Sequence, residues 1–312
     1  MPRVLPQPPL TVIAGPTGAG KTELAIALAE RLGAEIVSAD SQAVYRYFDL
    51  GTAKPDPGQL ARVPHHLVSA VEPTEPFNAA RWASLADAAI ADISARSRPA
   101  LVVGGTGLYV RALLHGLTDT PPDPEVRRKL EDEARRLGPE AMHRRLTDLD
   151  PDAAARLAVA DVVRVVRALE VHATTGVRPS ELRAAHAFRA ARYPARIHFL
   201  DPPREELELR LAARTRRMFE RGLVRETARL VARGFRETAP MRSVGYRQAL
   251  AVLDGEMTEE QAERETFLET RRYAKRQRTW FRREPGTRFV PPPYAALWEE
   301  AGLSVPAHGR SR

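Results

Sequence analysis

The stretch "VIAGPTGAGKTELA", Val12 to Ala25, contains Gly15-Pro16-Thr17-Gly18-Ala19-Gly20-Lys21-Thr22 and so fits G-x-x-x-x-G-K-[ST]. Its flanks decide the fold. Leu10–Ala14 is a short apolar run, which reads as a buried strand. Glu23–Leu32 places Leu24, Leu28 and Leu32 on one helical stripe, with Gly33 as the stop. A glycine-rich turn between such a strand and helix aims backbone N–H groups and a helix N-terminus at an anion. Lys21 adds a point charge, and the Thr22 hydroxyl offers a ligand to Mg²⁺. The pattern states that phosphate binds. It leaves open whether the phosphate is transferred, hydrolysed as a switch or expelled as a leaving group.

Outward from this loop the chain alternates between strands and helices. Glu35–Ser38 reads as a second strand ending at Ala39-Asp40-Ser41, and helix Ala79–Ala95 leads to the apolar run Ala100–Val103, closed by Gly104-Gly105-Thr106. Apolar strands in such an alternation imply a parallel sheet covered on both faces, with ligands beyond the carboxyl ends of its strands. Gly15–Thr22, Asp40 and Thr106 all fall at such ends and are expected to share one crevice. "TPPDPEVRRKL" then marks a junction, with Asp123 as N-cap and Pro124 at the first helical position. Helical patterns run to about Leu182, breaking at Gly138, Asp150-Pro151 and Gly176, and Arg196–Leu200 returns as a strand. Helices Arg204–Arg221, Val224–Arg233 and Val244–Leu253 follow. The last, Glu259–Arg283, is opened by Thr258 and Gln261 in capping-box spacing. The expected organisation is an α/β P-loop core (1–120), a helical insertion (121–195), a return to the core with C-terminal helices (196–290) and a loosely ordered tail (291–312).

The composition narrows the chemistry. The 312 residues include no cysteine, which excludes disulfides, thiolate zinc sites and a cysteine nucleophile; the eight histidines form no H-x-x-x-H pair. No apolar run approaches the roughly 20 residues that span a bilayer, and the N-terminus lacks a signal-peptide pattern, so a cytoplasmic protein without a membrane partner is expected. Residues 1–120 hold 10 Lys and Arg against 11 Asp and Glu, so the remainder carries +9 of the net +8. A strongly basic second part suits a protein that grips a polyanion, although arginines spread over solvated helix faces would give the same count.

Three segments carry further chemistry. Asp40 reads as a Walker-B-like Mg²⁺ ligand, as a general base, or as the N-cap of a short helix at Ser41–Tyr45. Thr106 is either an N-cap for helix Gly107–His115 or a substrate contact, while Gly104-Gly105 lets backbone approach something closely. "RRYAKRQRTWFRR", Arg271 to Arg283, holds seven basic residues, no acidic one, and Tyr273, Trp280 and Phe281. With Arg242, Tyr246 and Arg247 of "MRSVGYRQAL", it has the mixture of cations and planar groups that reads unpaired RNA bases. The plainer reading is a solvated helix face over buried aromatics.

Taken in order, "GPTGAGKT", "SADSQAVYRYFDLGTAKP", "VPHHL", "VVGGTGLYVRALLHGL", "RALEV", "MRSVGYRQ" and "KRQRTWFR" resemble the bacterial tRNA dimethylallyltransferases over about Val12 to Arg283. The resemblance implies a P-loop-kinase-like fold that transfers no phosphate. It implies transfer of a dimethylallyl group from dimethylallyl diphosphate to N6 of adenosine 37, in tRNAs reading codons that begin with U. The partners are then dimethylallyl diphosphate and a tRNA anticodon stem-loop, the cofactor Mg²⁺ on Thr22, and the expected state a monomer. Asp40 matches the family's general base, Thr22 and Thr106 match threonines of the reaction centre, and Arg214 matches an arginine on the diphosphate, with Arg216 and Arg217 as rival assignments. The tRNA-contact segments carry over as Asp40, Ser41, Gln42 and Ala43; Thr106; Arg127; Val163, Arg164 and Arg167; Arg242, Gly245, Tyr246 and Arg247; and Lys275, Arg276, Gln277, Arg278, Trp280 and Arg282. One departure is "ADVVRVVRALEV", which lacks the family's usual Asn before the Asp.

Two rivals keep the loop: one changes the reaction, the other keeps the chemistry and changes only the acceptor. A small-molecule P-loop kinase leaves "VVGGTGLYV", "RSVGYRQ" and the basic end helix without a role. An isopentenyltransferase acting on free adenine nucleotide would need neither the insertion nor the basic second part. A pure RNA-binding module would not need Lys21 or Asp40.

Overall fold

The computed structural model describes residues 10–117, 120, 123–186 and 191–304. Strand β1 (Leu10–Ala14) lies at the centre of a parallel sheet and feeds helix α1 (Lys21–Leu32) through the glycine loop. Strand β2 (Glu35–Ser38), helix α2 (Pro57–Arg62) and the two-residue strand β3 (His65–His66) follow. Next come α3 (Ala79–Ala95), β4 (Ala100–Gly104) and α4 (Gly107–His115). A helical segment then intervenes: α5 (Pro124–Leu137), α6 (Pro139–Leu149), α7 (Pro151–Ala154), α8 (Val162–Thr175) and α9 (Pro179–His186). The chain returns with β5 (Ala195–Leu200), α10 (Arg204–Glu220), α11 (Leu223–Ala232), α12 (Tyr246–Leu253), α13 (Glu259–Phe281), β6 (Thr287–Val290) and α14 (Ala295–Glu300).

The strand order is β3-β2-β4-β1-β5-β6, and every pairing is parallel. Ile13 lies beside Val103 on one side and His198 on the other, so the ends of β1 and β4 come level. Strands this apolar suit a sheet buried on both faces. Trp82 of α3 is fully buried, and its indole N–H donates to Ser38 O at 3.0 Å, pinning the end of β2 just before Asp40. An aspartate cap followed by proline begins α2 and α5, and an asparagine cap alone begins α3, much as the sequence dictates. The capping box of Thr258 and Gln261 opens α13 with both reciprocal bonds, at 2.8 and 3.2 Å.

Two compact units result: residues 10–114 with 192–304, and the helical unit His115–Ala191. The helical unit thus begins earlier and ends earlier than the 121–195 expected, the buried helix α4 belonging to the core as far as Leu114. Pro121 and Pro122 of the expected junction lie outside the described residues. This unit has its own core of Leu130, Met142, Leu146, Val165, Val166 and Leu169.

The expected loose tail is corrected. Residues 291–304 include α14, whose Leu297 and Trp298 are buried in the cluster under α1; residues 305–312 lie outside the description. Both are apolar side chains spaced to face α1, a signal too short to stand out in sequence. No short helix forms at Ser41–Tyr45 either; a turn stands there. Among the described residues, no helix is long and apolar enough to cross a membrane.

Candidate active site

The glycine loop is shaped by two residues in left-handed backbone, Gly18 (φ 82°) and Gly20 (φ 84°). A side chain at Gly18 would also strike Leu211 of α10 at 2.8 Å. Lys21 folds back over the loop, its ammonium donating to Gly15 O (3.0 Å) and Pro16 O (2.9 Å). Burial pulls its pKa down to about 8; Asp40 works against that shift and Arg214 adds to it. A lysine held this way is a cation short of counter-charge.

Asp40 and Thr106 are joined by backbone. Ala39 N–H donates to Val103 O (2.8 Å), and Thr106 N–H donates to Ala39 O (3.2 Å). The pair of glycines before Thr106 has a steric reason: a Cβ at Gly104 would lie 2.2 Å from Ala39 O. Asp40 Oδ1 accepts from Gln42 N–H (2.8 Å) and Ala43 N–H (3.1 Å), which orients the carboxylate. The Thr106 hydroxyl accepts from Ser41 N–H at 3.1 Å, so it serves the Asp40 turn, while its carbonyl opens α4 through Tyr109 and Val110.

Lys21, Thr22, Asp40, Gln42, Arg214 and Tyr273 line one cavity of about 300 Å³. An adjoining recess of about 70 Å³, behind Lys21, Thr22 and Asp40, is walled by Ala25, Ile36, Val68 and Val103. Of the three candidate arginines on α10, Arg214 alone faces this cavity; Arg216 and Arg217 are exposed, and neither lines it. Burial lowers the Arg214 pKa from the usual guanidinium range, with Asp40 opposing and Arg217 assisting. Among the described residues its Nε is buried without a hydrogen-bond partner, and its one hydrogen bond is a long 3.5 Å one to Thr52 O. Two under-partnered cations therefore flank one carboxylate.

Helix α13 splits the basic segment into two faces. Thr266, Thr270, Tyr273 and Gln277 line the cavity at helical spacing. Lys275, Arg276 and Arg282 are exposed. Arg278 leans inward, paired with Asp201 at 2.5 Å and donating to Pro202 O at 3.0 Å. The aromatics expected to stack on bases are mostly interior. Phe281 is fully buried against Phe199, and the Trp280 ring packs on Gly107, where a Cβ would lie 2.1 Å away. Gln277 is likewise buried, its amide turned to the glycine loop. These three placements correct the reading of the whole segment as an RNA-facing surface, because the helix must also cover the core.

Tyr246 is corrected in the same way. It is fully buried, edge-on to Phe48 at 4.8 Å, and its hydroxyl donates to Glu226. Gly245 is buried beside it, whereas Arg242 and Arg247 are exposed, the latter paired with Glu269. In the helical unit Val163 and Arg164 are exposed, but Arg167 is held by Thr120 O (2.6 Å) and by the fully buried Glu170 (3.0 Å). Arg127 bonds Glu131 at 3.1 Å and lies 3.9 Å from Glu170.

Sequence reasoning missed Glu226. It accepts from Asp49 N–H (3.2 Å) and Leu50 N–H (3.0 Å) and so fixes the "DLGT" loop whose Thr52 and Ala53 line the cavity. Burial raises its pKa, and the Tyr246 hydroxyl opposes that shift. A glutamate in an ordinary amphipathic helix gives no signal of such a role.

The IPP transferase family model matches residues 43–284, and an isopentenyl transferase model matches residues 8–65. A tRNA dimethylallyltransferase of Myxococcus xanthus is 59% identical over 96% of this chain and 98% of its own length; one of Anaeromyxobacter dehalogenans is 56% identical over 91% and 95%. The crystal structure of the tRNA isopentenylpyrophosphate transferase of Bacillus halodurans superposes with TM-score 0.67 at 37% identity, covering 91% and 89%. A eukaryotic dimethylallyltransferase acting on tRNA reaches TM-score 0.80 at 26% identity, covering 96% and 82%. With a parallel P-loop sheet, a carboxylate beside the loop and relatives this similar along nearly the whole length, the chain belongs to the IPP transferase family, the tRNA dimethylallyltransferases.

Proposed function

We propose that this chain transfers a dimethylallyl group from dimethylallyl diphosphate to N6 of adenosine 37, beside the anticodon of tRNAs that read codons beginning with U. The observation that carries the reading is the single cavity where Lys21, Arg214 and the N-terminus of α1 converge on the same space as Asp40. In this reading the phosphate is a leaving group. As the C1–O bond breaks, negative charge grows on the diphosphate, and Lys21, Arg214 and the loop N–H groups stabilise it more in the transition state than in the ground state. Positive charge develops at the allylic C1, and the N6 nitrogen supplies the electron pair of the new N–C bond. Asp40 takes the N6 proton on Oδ2, the oxygen its turn does not use. An exocyclic amine is a poor nucleophile, so a carboxylate held against it is chemically apt.

Mg²⁺ fits the residues present. Among the described residues no cluster of three or more His, Asp and Glu forms a cage, and Mg²⁺ commonly sits on one or two protein ligands plus substrate phosphates. The Thr22 hydroxyl, which lines the cavity, would hold it. Bound there, the ion would neutralise charge on the diphosphate. The target adenosine must leave its stack to reach this depth. The exposed Lys275, Arg276, Arg282, Arg242 and Arg247, with Val163 and Arg164 of the helical unit, are the surfaces we assign to the anticodon stem-loop, with a monomer acting in the cytoplasm.

The test is mass analysis of nucleosides from unmodified tRNA incubated with the protein, Mg²⁺ and dimethylallyl diphosphate, beside a parallel reaction with ATP. One dimethylallyl group on the adenosine next to the anticodon is expected, with no phosphoryl transfer from ATP. Phosphorylated product without prenylated adenosine would reinstate the kinase.

A further inference from the structure

Gln277 lies within the basic segment that the sequence assigns to RNA, yet it is only 6% exposed and its amide is spent on two catalytic loops. Thr17 N–H, in the glycine loop, donates to its Oε1 at 2.9 Å. Its Nε2 donates to Gly105 O at 3.0 Å, immediately before Thr106. One turn earlier on α13, Tyr273 lines the same cavity as Gln277. Thr106 itself accepts from Ser41, next to Asp40. The fit leaves no slack: a Cβ at Gly105 would lie 2.0 Å from Gln277 Nε2 and 3.0 Å from Gly15 O. A single side chain thus spans the loop that cradles the diphosphate and the loop that carries Thr106.

We infer that Gln277 is a positioning residue: it sets the separation between the diphosphate cradle and the Asp40–Thr106 edge, and so acts on donor binding and turnover rather than on tRNA affinity. This rests on the glycine loop being the prenyl-donor site. The bridge needs a neutral group with an acceptor at one end and a donor at the other, because Thr17 presents N–H and Gly105 presents C=O. A carboxylate in the same place still accepts from Thr17. It faces Gly105 O without a proton, and it sets negative charge beside an anion site. Protonation restores the missing donor.

Three variants test this by kcat and KM for each substrate, pyrophosphate Kd by calorimetry and tRNA Kd by filter binding. Gln277→Ala is expected to lower kcat/KM for dimethylallyl diphosphate about tenfold, from the loss of the two hydrogen bonds that bridge the loops. Gln277→Glu is expected to lower it further at pH 8, and to recover toward the alanine value or better as pH falls into the carboxylate range. The tRNA Kd stays within about twofold in both, far below the loss of a phosphate-binding side chain. Gln277→Met keeps length and packing and carries the same expectation as alanine if the smaller residue loosens the fold. A raised tRNA Kd with unchanged donor kinetics would overturn the inference, as would a Glu variant with no recovery at low pH. Lys21→Ala in the same assays separates the two levels. If it leaves pyrophosphate binding intact, the donor-site reading fails; if it abolishes binding while the Gln277 variants behave as wild type, only the positioning role fails.

Discussion

Glu170 in the helical unit is a fully buried charge and Lys21 in the glycine loop a half-buried one, and they differ in what meets them. Glu170 is fully buried and its charge is met by protein cations: Oε1 lies 3.0 Å from Arg167 and accepts from Asp123 N–H at 3.1 Å, while Oε2 has no hydrogen bond among the described residues but lies 3.9 Å from Arg127. Lys21 rests on two neutral carbonyls, and Arg214 beside it has a buried Nε without a partner. A buried charge met from within is structure, and one left short of counter-charge is a place for a ligand of opposite sign. The contrast assigns Arg127 and Arg167 partly to the architecture of their own unit. It assigns Lys21 and Arg214 to an incoming anion.

The comparison breaks most visibly at the carboxylate between the two cations. Asp40→Ala is expected to lower kcat by about 10²- to 10⁴-fold, the range of a lost general base, while pyrophosphate still binds. Steady-state kinetics with calorimetry would show this, and unchanged turnover would remove Asp40 from the proton transfer. Lys21→Ala should cost about 10²-fold or more in kcat/KM for the donor, as for loss of one preorganised donor to a departing anion. Glu170→Ala carries the opposite signature: a loss of about 3 kcal/mol in unfolding free energy of the helical unit, read by thermal or urea melts, with pyrophosphate Kd unchanged. If Glu170→Ala melted nothing, the line between structural and ligand-seeking charge would be misplaced.

Two smaller effects sharpen the picture. Replacing Lys275, Arg276 and Arg282 together should flatten the salt dependence of tRNA binding by about 2 in log–log slope, roughly 0.7 per single-stranded phosphate contact, while KM for the donor barely moves. An unaltered slope would return that face of α13 to ordinary solvation. Burial pulls the Lys21 pKa down to about 8, so the free enzyme carries its cation below that pH and loses it above. Donor kcat/KM, which reports the free enzyme, should therefore fall as pH rises through about 8. Lys21→Arg should lack that limb.

The sequence made the core legible because its signals are local. A strand, a glycine loop and a helix in series have few other solutions, and Asp40 and Thr106 stand at strand ends where such sheets bind ligands. What it hid were choices made by tertiary packing. "RRYAKRQRTWFRR" reads as one basic and aromatic stripe, yet α13 must cover the core, so Gln277, Trp280 and Phe281 turn inward while Lys275, Arg276 and Arg282 turn out. Tyr246 looks like a stacking residue beside two arginines, and only the fold shows its hydroxyl tied to Glu226. The two-residue strand β3 and the short helix α14 carry too few residues for any periodicity to register.

The most direct measurement is calorimetric binding of pyrophosphate near pH 8.5 in buffers of differing ionisation enthalpy, comparing the wild-type protein with Lys21→Arg. An anion arriving at an under-compensated lysine must raise its pKa, so the wild-type protein should take up a fraction of a proton more than the variant on binding. Equal proton uptake in the two proteins, or binding indifferent to Lys21, would contradict the claim that this cavity holds its cations in wait for a departing diphosphate.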